Sequence, residues 1–139
     1  MRNQRSLKNL KCLFWVFMTL SLLSCRKDKD DDKLNLYEGT WEMKSSVNGL
    51  NGVRTDYSSG NGNIIILSGS SYEIFSNHQP VTKGTFQIVQ ETSILTNAMK
   101  NRIIYDNSSD VRTFIEKKDN NLTLFIDAYD GPSTIYVKK

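Results

Sequence analysis

From Leu34 onward the chain is a succession of short apolar runs joined by connections of mostly two to six residues, and that spacing admits one kind of sheet. A parallel crossover needs a dozen or more residues, so neighbouring runs must pair antiparallel, up and down. Composition points the same way. These 106 residues hold two Ala against eleven Ile and nine Thr, a balance that favours strands over helices. Eight Gly, eleven Asn and twelve Ser fall mostly between the apolar runs, where turns need them.

Leu122 to Ala128 shows the period of two most plainly: Leu122, Leu124, Ile126 and Ala128 alternate with Thr123, Phe125 and Asp127, predicting one buried and one wet face. Asp119-Asn120-Asn121 separates it from a strand over Val111 to Lys117, and Asn and Asp tolerate the positive φ of tight hairpins. Further strands are expected at Gly39 to Val47, Ile64 to Leu67, Tyr72 to Phe75, Val81 to Val89, around Ile94, at Ile103 to Tyr105 and at Ser133 to Lys138. Val47 to Gly62 reads as one long irregular stretch with a short strand at Val53 to Tyr57. The expected fold is all-β, a meander of eight to nine strands that curls and closes because open edges invite association.

The first 24 residues are of a different character. Arg2, Arg5, Lys8 and Lys11 precede a run of 12 residues, Cys12 to Leu23, broken by two hydroxyls only; this is a signal-peptide pattern. A spanning helix needs about 20 apolar residues, and this run meets Cys25 and then RKDKDDDK, which lipid does not accept. Without the leader the formal charge falls from +3 to −1, removing the case for nucleic-acid binding by bulk charge. Domain boundaries follow: 1–24 leader, 25–33 charged tether, 34–139 a single domain.

Leu22-Leu23-Ser24-Cys25 resembles the lipobox of bacterial lipoproteins, in which the Cys thiolate is acylated before cleavage. The resemblance implies that Cys25 is the mature first residue and the lipid attachment site. Two or three acyl chains, at about 0.8 kcal/mol per buried CH₂, hold such a protein on a bilayer. Cys12 leaves with the leader and Cys25 is consumed by lipid, so the domain forms no disulfide or thiolate metal site. Arg26 to Lys33 carries four charges of each sign and no apolar residue, the composition of a solvated tether. It also resembles the Lys-and-acid tag of Bacteroidota lipoproteins, which implies the outer membrane and its cell-surface face, with the periplasmic face as the alternative.

The domain itself resembles the small lipocalin-like domains of Bacteroidota lipoproteins. The carrying residues are the opening Gly39-Thr40-Trp41, the element Gly84-Thr85-Phe86, and the close Asp130-Gly131 with Tyr136-Val137-Lys138. The resemblance implies a barrel plugged at one end by Trp41, and Lys138 or Lys139 is the only basic candidate to cover that ring. Thr55-Asp56-Tyr57 spells a lipocalin-like tripeptide but lies too close to Trp41 to serve as one.

An eight-stranded barrel is just wide enough to be filled by side chains or to hold one small ligand. Tyr72, Phe86, Ile88, Tyr105, Ile115 and Leu124 are the interior candidates, either lining a cavity or filling it. Phe75, Phe114 and Phe125 fall on the opposite faces of their strands, where they need a covering segment or a partner. The single His78 of the domain sits in a turn without a nucleophile motif, Asp127 and Asp130 flank a turn, and Asp30 to Asp32 have no preformed geometry for a cation. No catalytic, cofactor or metal residue is assigned. Two functions remain open: a lipid-anchored binding module holding a small apolar or amphipathic ligand in the barrel, or a filled barrel that engages a protein or glycan partner through its loops or outer face. A hydrolase ranks last.

Overall fold

The computed structural model describes residues 29–139. The leader, Cys25 and the tether up to residue 28 lie outside the described residues. The fold is an all-β antiparallel barrel of eight strands with one additional strand. A helix, α1 (Lys29–Tyr37), leads into β1 (Gly39–Val47), β2 (Arg54–Asp56), β3 (Ile64–Ser68), β4 (Ser71–Ser76), β5 (Gln79–Thr92), β6 (Met99–Tyr105), β7 (Thr113–Lys118), β8 (Asn121–Ile126) and β9 (Ser133–Lys138). Each strand from β3 onward pairs with the next, and β1 closes the wall by pairing β3 on one edge and β9 on the other. The short β2 extends the β3 edge of β1 at Ser45 to Val47.

The turns follow the local chemistry. Asn77 and His78 both take positive φ, the mirror-image turn whose twist suits a two-residue hairpin, and Ser76 pairs with Gln79 across it. Asp119 supplies a positive φ in the same way between β7 and β8. Two expectations change. The strand expected around Ile94 is a turn, because the N–H groups of Ile94 and Leu95 are taken by the Asp127 carboxylate. Residues 29–33, expected as tether, are helical. The helix gains its purchase further on, where Leu34 and Tyr37, three residues apart on one face, pack on the barrel core.

Trp41 is fully buried. Its Nε1–H donates to the Tyr37 carbonyl at 2.9 Å, and Lys138 Nζ lies 5.5 Å from the ring centroid, supplying the basic cover. Gly39 is needed two residues earlier. Its φ of 141° strains any L side chain, and a Cβ there would stand 3.0 Å from the Lys138 stem. On the other face of β1, Glu42 is buried beneath the irregular stretch before β3. Its Oε2 accepts the Gly60 N–H at 3.0 Å and its Oε1 faces Lys139 Nζ at 3.4 Å. The Gly60 N–H, the Gly62 N–H and Lys139 outweigh burial and hold the carboxyl below its ordinary range.

Trp41→Ala should cost about 3–5 kcal/mol in chemical denaturation, the range for emptying a buried aromatic site. Tyr129→Ala, at a residue 95% exposed, should change stability by less than about 0.5 kcal/mol.

Candidate functional site

All six interior candidates point inward and belong to one continuous cluster. Tyr72, Phe86, Ile88 and Ile115 are buried, while Tyr105 and Leu124 are partly buried and packed against them together with Met43 and Ile74. The Tyr72 and Tyr105 rings meet edge to face with centroids 4.8 Å apart. The Tyr72 hydroxyl donates to Asp106 Oδ2 at 2.7 Å, and Asp106 Oδ1 accepts the Thr85 N–H at 2.8 Å. A Cβ at Gly84 would overlap that carboxylate, which gives the glycine of the Gly-Thr-Phe element its reason. Burial pushes the Tyr136 phenol up to about 12 and that of Tyr105 higher still.

A second set of contacts lies outside the wall. β6 and β7 pair only at Arg102 with Phe114 and Ile103 with Thr113; the ladder does not continue through Met99 to Asn101. There the tip of the β5–β6 hairpin leaves the barrel, and its outer face is drawn against the outer face of β7 and β8. Arg102 pairs with Glu91 at 2.7 Å and donates to the Ser109 carbonyl at 2.8 Å. Arg112 bridges Glu91 at 2.7 Å and Asp127 at 3.4 Å. Asp127, expected beside a turn on the wet face of its strand, is instead buried: Oδ1 accepts the Ser93 hydroxyl at 2.7 Å and Oδ2 the Ile94 N–H at 2.9 Å. The aromatics on this face find their cover here. Phe114 is fully buried, stacks on Phe125 at 5.6 Å and lies under Arg112, while Lys100 stands over Phe125. Phe75 stays half-buried, beside Pro80 and Val81.

α1 packs on the barrel against β3 and β5. Tyr37 is buried with its hydroxyl accepting from Asn101 Nδ2 at 2.7 Å, and Leu34 reaches the core. Grooves of about 440 and 430 Å³ flank the helix. Leu36, Met99 and Lys117 line the first; Lys33, Ser70 and Gln90 line the second.

A concavity of about 520 Å³ lies at the far end of β1, between the stretch after Val47 and the β8–β9 connection. Its wall mixes Asn48, Asn51, Thr55, Asp130 and Thr134 with Leu50 and Val53. Both aliphatic side chains are exposed, as is the adjoining Tyr129. Such a mixture suits a partner offering hydroxyls and apolar faces together, within the usual volume of a small-ligand site. His78 is exposed in its hairpin turn just before β5, at the opposite end of that strand from Glu91. No family model, curated protein or solved structure matches this chain.

The exterior network missed by sequence reading offers a direct measurement. Burial pushes the Asp127 carboxyl up, but the Ser93 hydroxyl, the Ile94 and Leu95 N–H groups and Arg112 outweigh it and hold it below its ordinary range. Its contribution to stability is therefore complete above about pH 4 and is lost as pH falls through the lowered value. Asp127→Ala should cost about 2–3 kcal/mol at pH 7 by stranding buried donors, and it should flatten the decline in denaturation midpoint between about pH 5 and pH 2.

Proposed function

We propose that this chain is a lipid-anchored, non-enzymatic interaction protein resembling the small lipocalin-like lipoproteins, in which a filled barrel serves as a rigid scaffold and its loop end engages a protein or glycan partner. The observation carrying this reading is the interior: the six side chains that an open cup would need as lining are packed with one another and with Trp41, Ile103 and Leu122 in one cluster. The alternative, a small apolar ligand inside the barrel, would have to displace them.

The anchor reading draws on the leader, on Cys25 and on the polarity of the domain. α1 enters at the N-terminal end of β1, and the 520 Å³ concavity lies at its C-terminal end, beside Val47. A strand of this length spans about 27–30 Å, so acyl chains on Cys25 would hold one end of the barrel near the outer-membrane surface and turn the loop end away from it. Among the described residues no helix is long and apolar enough to cross a membrane. The only histidine stands in a solvent-facing turn, and the buried carboxylates Glu42 and Asp127 are occupied by loop N–H groups and cations, which supports a non-catalytic reading.

Native mass spectrometry of protein extracted from membranes should give the polypeptide from Cys25 with its acyl groups and no second bound molecule. Release of a stoichiometric lipid or other small molecule would overturn the filled-barrel reading. An alkaline titration followed by phenolate absorbance supplies an independent check. Tyr105 and Tyr136 should remain unionised well above about pH 10, and stability should decline as pH rises from about 10 toward 12, where the buried phenols are forced to ionise. Ordinary titration of all six tyrosines would mean that water reaches the interior.

A further inference from the structure

Among the described strands β2 alone has a partner on a single side: it stands at the end of the strand order, bonded to β1. Which of its groups face outward follows from the bonds at its two ends. The Asn48 N–H donates to the Val53 carbonyl and the Tyr57 N–H to the Lys44 carbonyl, each at 2.9 Å. Backbone groups in an antiparallel ladder alternate between the two sides of the strand, so Val53, Thr55 and Tyr57 turn theirs toward β1, while Arg54 and Asp56 direct N–H and C=O away from it. Among the described residues nothing bonds these outward groups. The side chains of the same two residues are exposed and paired with each other at 2.7 Å. An open edge is a template for a further strand, and edges are commonly guarded by charge. Charges of one sign would repel a second copy; charges of opposite sign, two residues apart, do not, because a two-fold axis reverses their order.

We propose that the occupant of this edge is β2 of a second copy of the chain, antiparallel about a two-fold axis through Thr55. Backbone and charge select this register independently. Hydrogen-bonded pairs form only between outward-facing residues, so a symmetric pairing sets Arg54 opposite its own copy, Asp56 opposite its own copy, or Arg54 opposite the partner's Asp56. The first two oppose like charges. The third adds a cross-strand ion pair on each side of the axis to the pair already present within each strand. On the other face it brings exposed Val53 opposite the partner's Tyr57, an aliphatic–aromatic pair of the kind that stabilises sheets, and Thr55 meets its own copy on the axis. Val53 and Thr55 also line the concavity of about 520 Å³. The axis therefore places two such concavities side by side on one face of the joined sheet, which makes the loop end bivalent. The pairing depends neither on acylation of Cys25 nor on the nature of a loop-end partner.

The test is sedimentation velocity of the full chain in detergent, the unaltered protein beside Asp56→Arg and Arg54→Asp. Both positions are exposed, so the fold should be retained, and thermal melts check it. Each variant alone opposes like charges across the axis, and its dimerisation should weaken at least about ten-fold. Mixed in equal amounts, the two variants present Arg to Asp at both pairs and should associate as the unaltered chain does. Thr55→Cys should cross-link to its own copy on oxidation, since facing Cα atoms about 4.5 Å apart are within disulfide reach, whereas Val53→Cys should give no more than the unaltered chain. An unaltered chain that stays monomeric overturns the proposal, as do single variants that associate undiminished or a mixture that does not recover. Association through acyl chains or shared micelles ignores the charge swaps and so counts against it. The dimer adds a second polypeptide and no small molecule to the native mass, so the filled-barrel reading stands or falls separately.

Discussion

The structure depends on β1 being able to serve two neighbours at once. It pairs β3 through Gly39 to Glu42 and β9 from Trp41 to Val47, and among the described residues the wall has no other closure. A register shift between Met43 and Ser45 in the β9 pairing bends the strand, as bulges do at barrel corners. The bend places Ser45 among the fully buried residues and leaves Lys44 outside. Trp41 completes the arrangement, because its indole spans from the helix backbone to the last lysine but one of the chain. Closure, burial of Trp41 and helix docking thus share the same few residues of β1.

The opposite side of the barrel shows what happens where pairing is brief. With two registered pairs between β6 and β7, the longer β5–β6 hairpin is free to leave the cylinder, and the charges on its outer face decide where it goes. Glu91 and Asp127 face Arg102 and Arg112, so the four formal charges cancel, and both guanidinium groups keep a buried Nε without an acceptor. Such a cluster has no spare acceptor, which makes removal of either acid costly.

Strands with a strict period of two were legible in the residues themselves. Gly39 to Val47 and Ser133 to Lys138 match their observed bounds, and the six interior candidates and Trp41 occupy the core. What escaped was long-range. Ile94 lies in an apolar segment with strand propensity, and nothing local announces that a carboxylate 33 residues away will claim its N–H. Asp127 looks like a turn acid until Arg112 and Ser93 arrive beside it. The helix over Lys29–Tyr37 has no local signature either; its charged first half gives no periodic face, and its two anchoring residues belong to the next segment. The concavity after Val47 was equally silent, being made from two loops that meet only when Gly49 packs on the Asp130 backbone.

These features bear on where function can reside in so small a barrel. Trp41, Ile65, Leu67 and Leu122 are buried and hold the fold, while Leu50, Val53 and Tyr129 are exposed and contribute little to it, so the proposed loop-end function would fall on residues other than those that hold the fold. Loop residues under that light constraint can change chemistry without unfolding the scaffold. A barrel that kept an open cup would face the opposite condition, since each side chain lining the cavity would also be part of the core and each change of ligand would alter its packing. The domain has no cysteine for a disulfide and a modest core, so its stability rests on packing, and a proposed function confined to the loop end would leave that packing untouched.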